Sequence, residues 1–209
     1  MKKRNPISFF FIPIFFIIVS ASLGGNALGQ EAKKILSIDA YDMLNTIPDT
    51  FLIDVRTRAE YQFVGHPYKA YLFPYMFFTN SFAKVDEKYE YQLSQKNKAF
   101  LEEINKVFKK TDNLLIIGRD GTRSALAAKD LVNDGFKNIS DVMDGFEGPE
   151  FPTLEDNHLN KYYRQLGKRN KIYGFLHRRH YGWQWWGLPW TYEIDPKFIY
   201  PPDLKPPEK

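Results

Sequence analysis

The run Gly118-Arg119-Asp120-Gly121-Thr122-Arg123-Ser124 carries the strongest chemical signal in the chain. It follows the continuous apolar run Leu114-Leu115-Ile116-Ile117 and precedes a helical pattern that starts at Ser124. A loop so placed turns successive backbone N–H groups inward at a helix N-terminus, where the helix dipole favours negative charge. The expected chemistry is anion binding. Gly121 permits close backbone approach, and Arg119 and Arg123 bring charge; Arg123 can hold an oxyanion or brace the loop through a carboxylate. Asp120 opposes an anion if its side chain turns inward. No activated nucleophile is evident. The chain has no Cys, and the hydroxyls of Thr122 and Ser124 read as loop or helix-cap groups.

A second set of charged residues, Asp54, Arg56 and Glu60, follows an apolar run of strand length, with His66 shortly after. The three charged residues read as bracing groups and His66 as a turn histidine. His177 and His180 have the spacing of metal ligands on one helical turn. Arg178 and Arg179 lie between them, and no Cys or carboxylate accompanies them, so no metal is expected. No cofactor is expected either.

These residues need elements to position them. Ser37 is expected to cap a helix over Ile38–Leu44, and Thr50–Val55 reads as a strand. Arg58–Val64 reads as a short helix closed by Gly65, and Tyr71–Phe73 as a short strand before Pro74. Residues 77–95 lack clean periodicity and read as a long connection. From the cap Asn97 onward, Phe100, Leu101, Ile104, Val107 and Phe108 share one helical face. Leu114–Ile117 reads as a strand covered on both faces. Ser124–Asn133 reads as a helix with Ala125, Leu126, Ala128, Leu131 and Val132 inward, ended by Gly135, and Ile139–Met143 as the next strand. Strands alternating with helices predict a mostly parallel sheet, and no internal repeat divides the chain.

At 209 residues, 44% hydrophobic and 26% charged, the chain has enough apolar content for a core and is not of disordered type. The missing cysteines exclude a disulfide framework, a zinc ribbon, an iron–sulfur cluster and a thiol nucleophile. Lys2, Lys3 and Arg4, the apolar run Ile7–Val19 and the small residues up to Ala27-Leu28-Gly29 have the pattern of a signal peptide over residues 1–29. The expected location is secreted or periplasmic after cleavage near Gly29. That cleavage lowers the formal balance from +4 to +1, so no nucleic-acid partner is expected.

Residues 30–150 are expected to form the domain core and residues 151–209 a C-terminal arm packed on it. The arm carries seven Lys/Arg and no acid between His158 and Tyr181. Trp183, Trp185, Trp186 and Trp190 follow, then six prolines from Pro189 onward. Its basic run suits weak contact with an anionic membrane surface.

In order and spacing, Leu52-Ile53-Asp54-Val55-Arg56, Glu60-Tyr61, Gly65-His66-Pro67 and Pro74 resemble the first motif of the rhodanese family of sulfurtransferases. Asp141-Val142-Met143-Asp144-Gly145-Phe146 resembles its last strand and turn, and Trp183 with Gly187-Leu188-Pro189-Trp190 its closing segment. The resemblance spans roughly Ile35 to Trp190. It implies an α/β rhodanese-like fold: a five-stranded, mostly parallel sheet, helices on both faces, the active loop at the carboxyl end of the central strand, and here an extended aromatic and Pro-rich arm.

The resemblance also implies that Glu60 pairs with Arg123. In the family's loop a Cys stands five residues before the Arg of an Arg-Ser helix start, and its thiolate forms a persulfide. Gly121, Arg123 and Ser124 keep that frame, while the cysteine's own place is taken by Gly118. No catalytic residue is therefore assigned, and the loop reads either as a turn kept because it folds or as a retained pocket. The leading expectation is a non-catalytic module in which Gly118–Ser124 binds a small oxyanion or an acidic or persulfide group of a partner protein. The alternatives are a sulfurtransferase-type enzyme dependent on a partner's thiol, and an interaction protein acting through the Trp-rich arm.

Overall fold

Four consecutive apolar residues, Leu114 to Ile117, leave neither face of a strand suited to water, and all four are fully buried. The structure is a computed structural model that describes residues 31–85, 88–149 and 181–200. In chain order the elements are β1 (Lys33–Ile35), α1 (Ser37–Thr46), β2 (Thr50–Asp54), α2 (Arg58–Phe63), β3 (His66–Pro67), β4 (Tyr71–Leu72), β5 (Met76–Val85), β6 (Lys88–Lys96), α3 (Phe100–Val107), β7 (Asn113–Ile117), α4 (Thr122–Asn133), β8 (Asn138–Val142) and β9 (Trp190–Thr191). A single 3-10 turn follows at Pro196–Phe198.

Five strands form one all-parallel sheet in the order β1-β8-β7-β2-β4. The central strand is β7, and Gly118 stands directly at its carboxyl end. Because side chains alternate across a strand, Leu114 and Ile116 join Ile53, Phe100, Ile104, Ala127 and Leu131 in one apolar layer. Leu115 and Ile117 join Leu52, Ala40, Phe146 and Trp183 in the other. Helices α3 and α4 thus cover one face, and α1 with the segment around Trp183 the other.

Several local expectations are corrected. The stretch 77–95 is not a connection: β5 and β6 pair as an antiparallel hairpin with irregular register at Phe77, Phe78 and Phe82. That irregularity removes the strict alternation by which a strand is read. Phe78, Phe82, Tyr89 and Tyr91 are exposed on it, with Phe82 stacked on Tyr89 at 5.6 Å. In α4, Ala127 and Ala128 are buried and Leu126 is 48% exposed, so the inward face excludes Ala125 and Leu126. Ser37 sits inside α1 and bonds across the fold, while Leu36 takes the cap position. Asn97 bonds Ala99 N and Pro74 O, and Ala99 occupies the cap of α3.

The arm's described residues lie on the domain. Trp183 is buried, Trp190 and Thr191 pair with Pro67 and His66, and Ile199 bridges to Leu72 beside the last strand of the sheet. The signal-peptide segment, the basic run and the His177/His180 pair lie outside the described residues.

Candidate functional site

Two turns meet at the carboxyl end of β7. The carbonyl of Gly118 accepts Phe146 N–H at 2.9 Å, and that of Arg119 accepts Glu147 N–H at 2.9 Å and Gly148 N–H at 3.2 Å. The approach depends on two glycines. Gly121, the α4 N-cap, has φ +92° and a Cβ there would stand 2.0 Å from Met143 O. Gly145 has φ +64° and would meet the Arg119 backbone at 2.6 Å. Gly118 differs. It lies outside the left-handed region, and the nearest atom to its missing Cβ is Ser124 N at 3.1 Å.

The loop is more occupied by its own charges than expected. Asp120 Oδ1 accepts Thr122 N–H at 3.1 Å, which takes one helix-terminal donor away from any ligand. Arg123 does not aim its charge into the loop. Its guanidinium forks onto Glu60, with Nη1 donating to Oε2 at 2.8 Å and Nη2 to Oε1. The pair foreseen between these motifs is therefore present, and it makes Arg123 a brace. Ser124 Oγ donates to Gly121 O at 3.0 Å, a turn role. Thr122 is exposed.

Glu60 serves two elements. It closes the capping box of α2 by accepting Thr57 N–H at 2.9 Å while Thr57 Oγ1 accepts Glu60 N–H at 3.3 Å. Burial pushes its carboxyl upward, but the hydrogen bonds and charge of Arg123 prevail and hold it at about 2. Asp54 and Arg56 form a buried pair, Nη2 to Oδ2 at 2.7 Å, and Arg56 also donates to Gly65 O at 2.7 Å and lies over the Phe146 ring at 4.1 Å. Arg56 Nη1 has no hydrogen-bond partner among the described residues. His66 stacks on Tyr61 at 3.5 Å and its Nδ1 lies 3.0 Å from Tyr61 O. Burial lowers its pKa, and it is a packed histidine of β3 paired with Thr191, not the turn histidine expected from the sequence.

Two carboxylates escaped the sequence reading. Glu147 is buried beside the loop, 4.0 Å from Arg119 Nε, and burial pushes its carboxyl up to about 7 despite Arg56 and Arg119. Asp144 accepts Ser37 N–H and Oγ–H at 2.8 Å each, Gly182 N–H at 3.0 Å and Trp186 Nε1–H at 3.0 Å. Both lie in a turn without periodicity. The sequence placed Asp144 in the segment that resembles the family's last strand and turn but gave it no role, and it gave no signal for Glu147.

The model of the Rhodanese-like domain family matches residues 37–149, more than half of the chain. The chain belongs to the rhodanese-like domain family. Among relatives of this rhodanese-like domain, an uncharacterized protein of Rickettsia conorii is 36% identical over 133 residues, covering 57% of this chain and 87% of that protein. Thiosulfate sulfurtransferase 16, a chloroplast protein of Arabidopsis thaliana, is 33% identical over 122 residues, covering 57% and 90%. The crystal structure of Rv0390 from M. tuberculosis matches with a TM-score of 0.53 at 26% identity, over 78% of this chain and all of that one. In this rhodanese-like domain Gly118 opens the loop that runs through Gly121, Arg123 and Ser124, without a side chain of its own.

Proposed function

We propose that this rhodanese-like domain is an exported, non-catalytic binding module. Its Gly118–Ser124 loop would receive a small oxyanion, or the acidic or persulfide group of a partner protein. One observation carries the reading. Gly118 has no left-handed φ that requires glycine, and a Cβ there needs only a few tenths of an ångström of give from Ser124 N at 3.1 Å. Yet it stands where the family motif places a thiol, and the rest of the loop is held by Glu60, Gly121 and Gly145. The vacated side-chain volume lies next to the Ser124 amide at the start of α4, a position favourable to an anion. Arg119, whose Nε lies at the 4.0 Å limit from Glu147, is the cation better placed to meet it, since Arg123 is engaged by Glu60 at hydrogen-bond distance. A conventional persulfide cycle has no thiol to run on, because the chain contains no Cys.

The test has two arms. The natural protein should show no thiosulfate-to-cyanide sulfur transfer, while Gly118→Cys should gain it; turnover by the natural protein overturns the non-catalytic reading. Sulfate, phosphate or thiosulfate should raise the melting temperature above that in sodium chloride of equal ionic strength. A ligand that binds only the folded state must do so, and equal melting in all four salts overturns the retained pocket. For export, the N-terminal sequence of protein recovered outside the cytoplasm should begin near Gln30; a chain retaining residues 1–29 inside the cell contradicts it.

A further inference from the structure

One cleft among the described residues lies away from the Gly118 loop. It has a volume of about 770 Å³, within the usual range for small-molecule sites. Thr50 and Phe51 line it, at the amino end of the strand whose other end, Asp54, lies level with Ile117. The cleft therefore reaches the edge of the sheet opposite Gly118. Its floor is Leu52 and the buried Trp183. Its walls are aromatic edges and faces: Phe51 meets Tyr71 at 6.0 Å, Tyr71 meets Phe198 at 4.9 Å, and Tyr41 meets Trp183 at 5.9 Å, each nearly perpendicular.

The charges on this cleft have one sign. Lys69 and Lys197 line it, and no Asp or Glu does. Lys197 is paired with Asp195 at 2.6 Å, but Lys69 has no carboxylate within ion-pair distance among the described residues; its ammonium lies 5.6 Å from the centre of the Tyr68 ring. Lys69 is also held at φ +62°, in the left-handed region where a residue with a Cβ is strained. The tight turn that holds it, Ala70 N–H to Pro67 O at 3.1 Å, would be less strained with glycine or asparagine. A strained lysine facing an aromatic cleft is the arrangement of a fixed counter-charge.

We propose that this cleft is a second binding site, for a small organic anion built on an aromatic ring, with the ring against Tyr71 and Phe198 and the acid group at Lys69. Aromatic walls meet a planar apolar body edge-on or face-on, and an ammonium with no carboxylate partner among the described residues selects its acid over its amide. The site is independent of the anion loop.

Benzoate and indole-3-acetate serve as probes, each against its neutral amide, with Trp fluorescence and backbone amide shifts as readouts. The acids should bind saturably and at least about tenfold more tightly than the amides, with shifts centred on residues 41–52, 68–71 and 197–200 and not on 118–124. Lys69→Gly relieves the strained backbone and removes the ammonium. It should melt no lower than the natural protein yet lose the preference for acids. Lys69→Ala should lose the same preference. The site is overturned if neither acid binds up to about 10 mM, if acids and amides bind alike, or if the shifts fall on the loop. Failure to bind because residues beyond Tyr200 fill the cleft also overturns it; a chain ending at Tyr200 that then binds the acids identifies that outcome.

Discussion

A side chain on Gly118 would direct its Cβ at the backbone nitrogen of Ser124, 3.1 Å away, while the same addition at Gly121 would drive into Met143 O at 2.0 Å. Two glycines three residues apart thus have opposite tolerances. Gly118→Ala should change unfolding free energy by no more than about 1 kcal/mol, since only a few tenths of an ångström must yield. Gly121→Ala adds a left-handed Cβ and a backbone collision, and should cost about 3 kcal/mol or more. Urea denaturation of the two variants checks the contrast. Equal losses would mean that position 118 needs glycine for folding, and the emptied nucleophile position would lose its functional meaning.

The Glu60–Arg123 pair predicts an acid response. The Glu60 carboxyl titrates near 2 in the folded protein against an ordinary value of 4.5. A depressed folded pKa means that the unfolded chain takes up the proton first as pH falls, so stability is fully present above pH 4.5 and is lost between there and about 2. Glu60→Gln should be less stable at neutral pH and show a shallower fall over that window. Arg123→Ala should cost about 3 kcal/mol or more by stranding a buried carboxylate. Denaturation midpoints at closely spaced pH values test both variants.

Glu147 predicts the opposite slope. Its folded value of about 7 lies above the ordinary 4.5, so the folded protein holds a proton that the unfolded chain has released. Stability should therefore decline as pH rises from 4.5 to 7 and then level off. Glu147→Gln should flatten that decline and melt higher than the natural protein at pH 8. Anion binding at the neighbouring loop should also weaken as pH rises through 7, because the carboxylate so formed repels the ligand; in Glu147→Gln that dependence should vanish.

The sheet and the loop were legible because their signals are local. Leu114–Ile117 could only be a strand covered twice, and Gly118–Ser124 sat between it and an obvious helix. Glu60 and Arg123 were paired through their places in a family pattern. The hairpin of Met76–Val85 and Lys88–Lys96 was not legible, because its register shifts at Phe77, Phe78 and Phe82 break the period of two. For Arg123 the sequence left two roles open, oxyanion ligand or carboxylate-bound brace, because one position cannot show which oxyanion claims it; the one that does is Glu60. Glu147 and Asp144 were missed because a buried carboxylate in a turn has no pattern: what sets its role is the arrival of Arg119, Ser37 and Trp186 from elsewhere.

Asp144 gathers four donors from two distant parts of the chain onto its own turn after β8: two from Ser37 at the start of α1, and one each from Gly182 and Trp186 in the arm. Asp144→Asn keeps one acceptor oxygen and should cost about 2–3 kcal/mol, since bonds to an ionised acceptor are the stronger kind. It should also free the arm, seen as earlier proteolysis around residues 181–190 and a red-shifted tryptophan emission. Destabilisation without either change would mean that Asp144 secures α1 alone.

Trp183 fills the layer shared by Ala40, Leu52 and Leu115, and Ile199 extends the far edge of the sheet at Leu72. A ribosome makes these pieces in the wrong order for early closure. When Val142 has emerged, every strand of the parallel sheet exists, but one apolar layer still lacks its largest side chain. The domain must wait, half-roofed, until the arm is synthesised, and contacts of such long sequence separation are slow to form. Changes in the arm should therefore act on timing as well as on final stability, by lengthening the interval in which the nascent chain remains open to proteases, chaperones and any machinery that requires it unfolded.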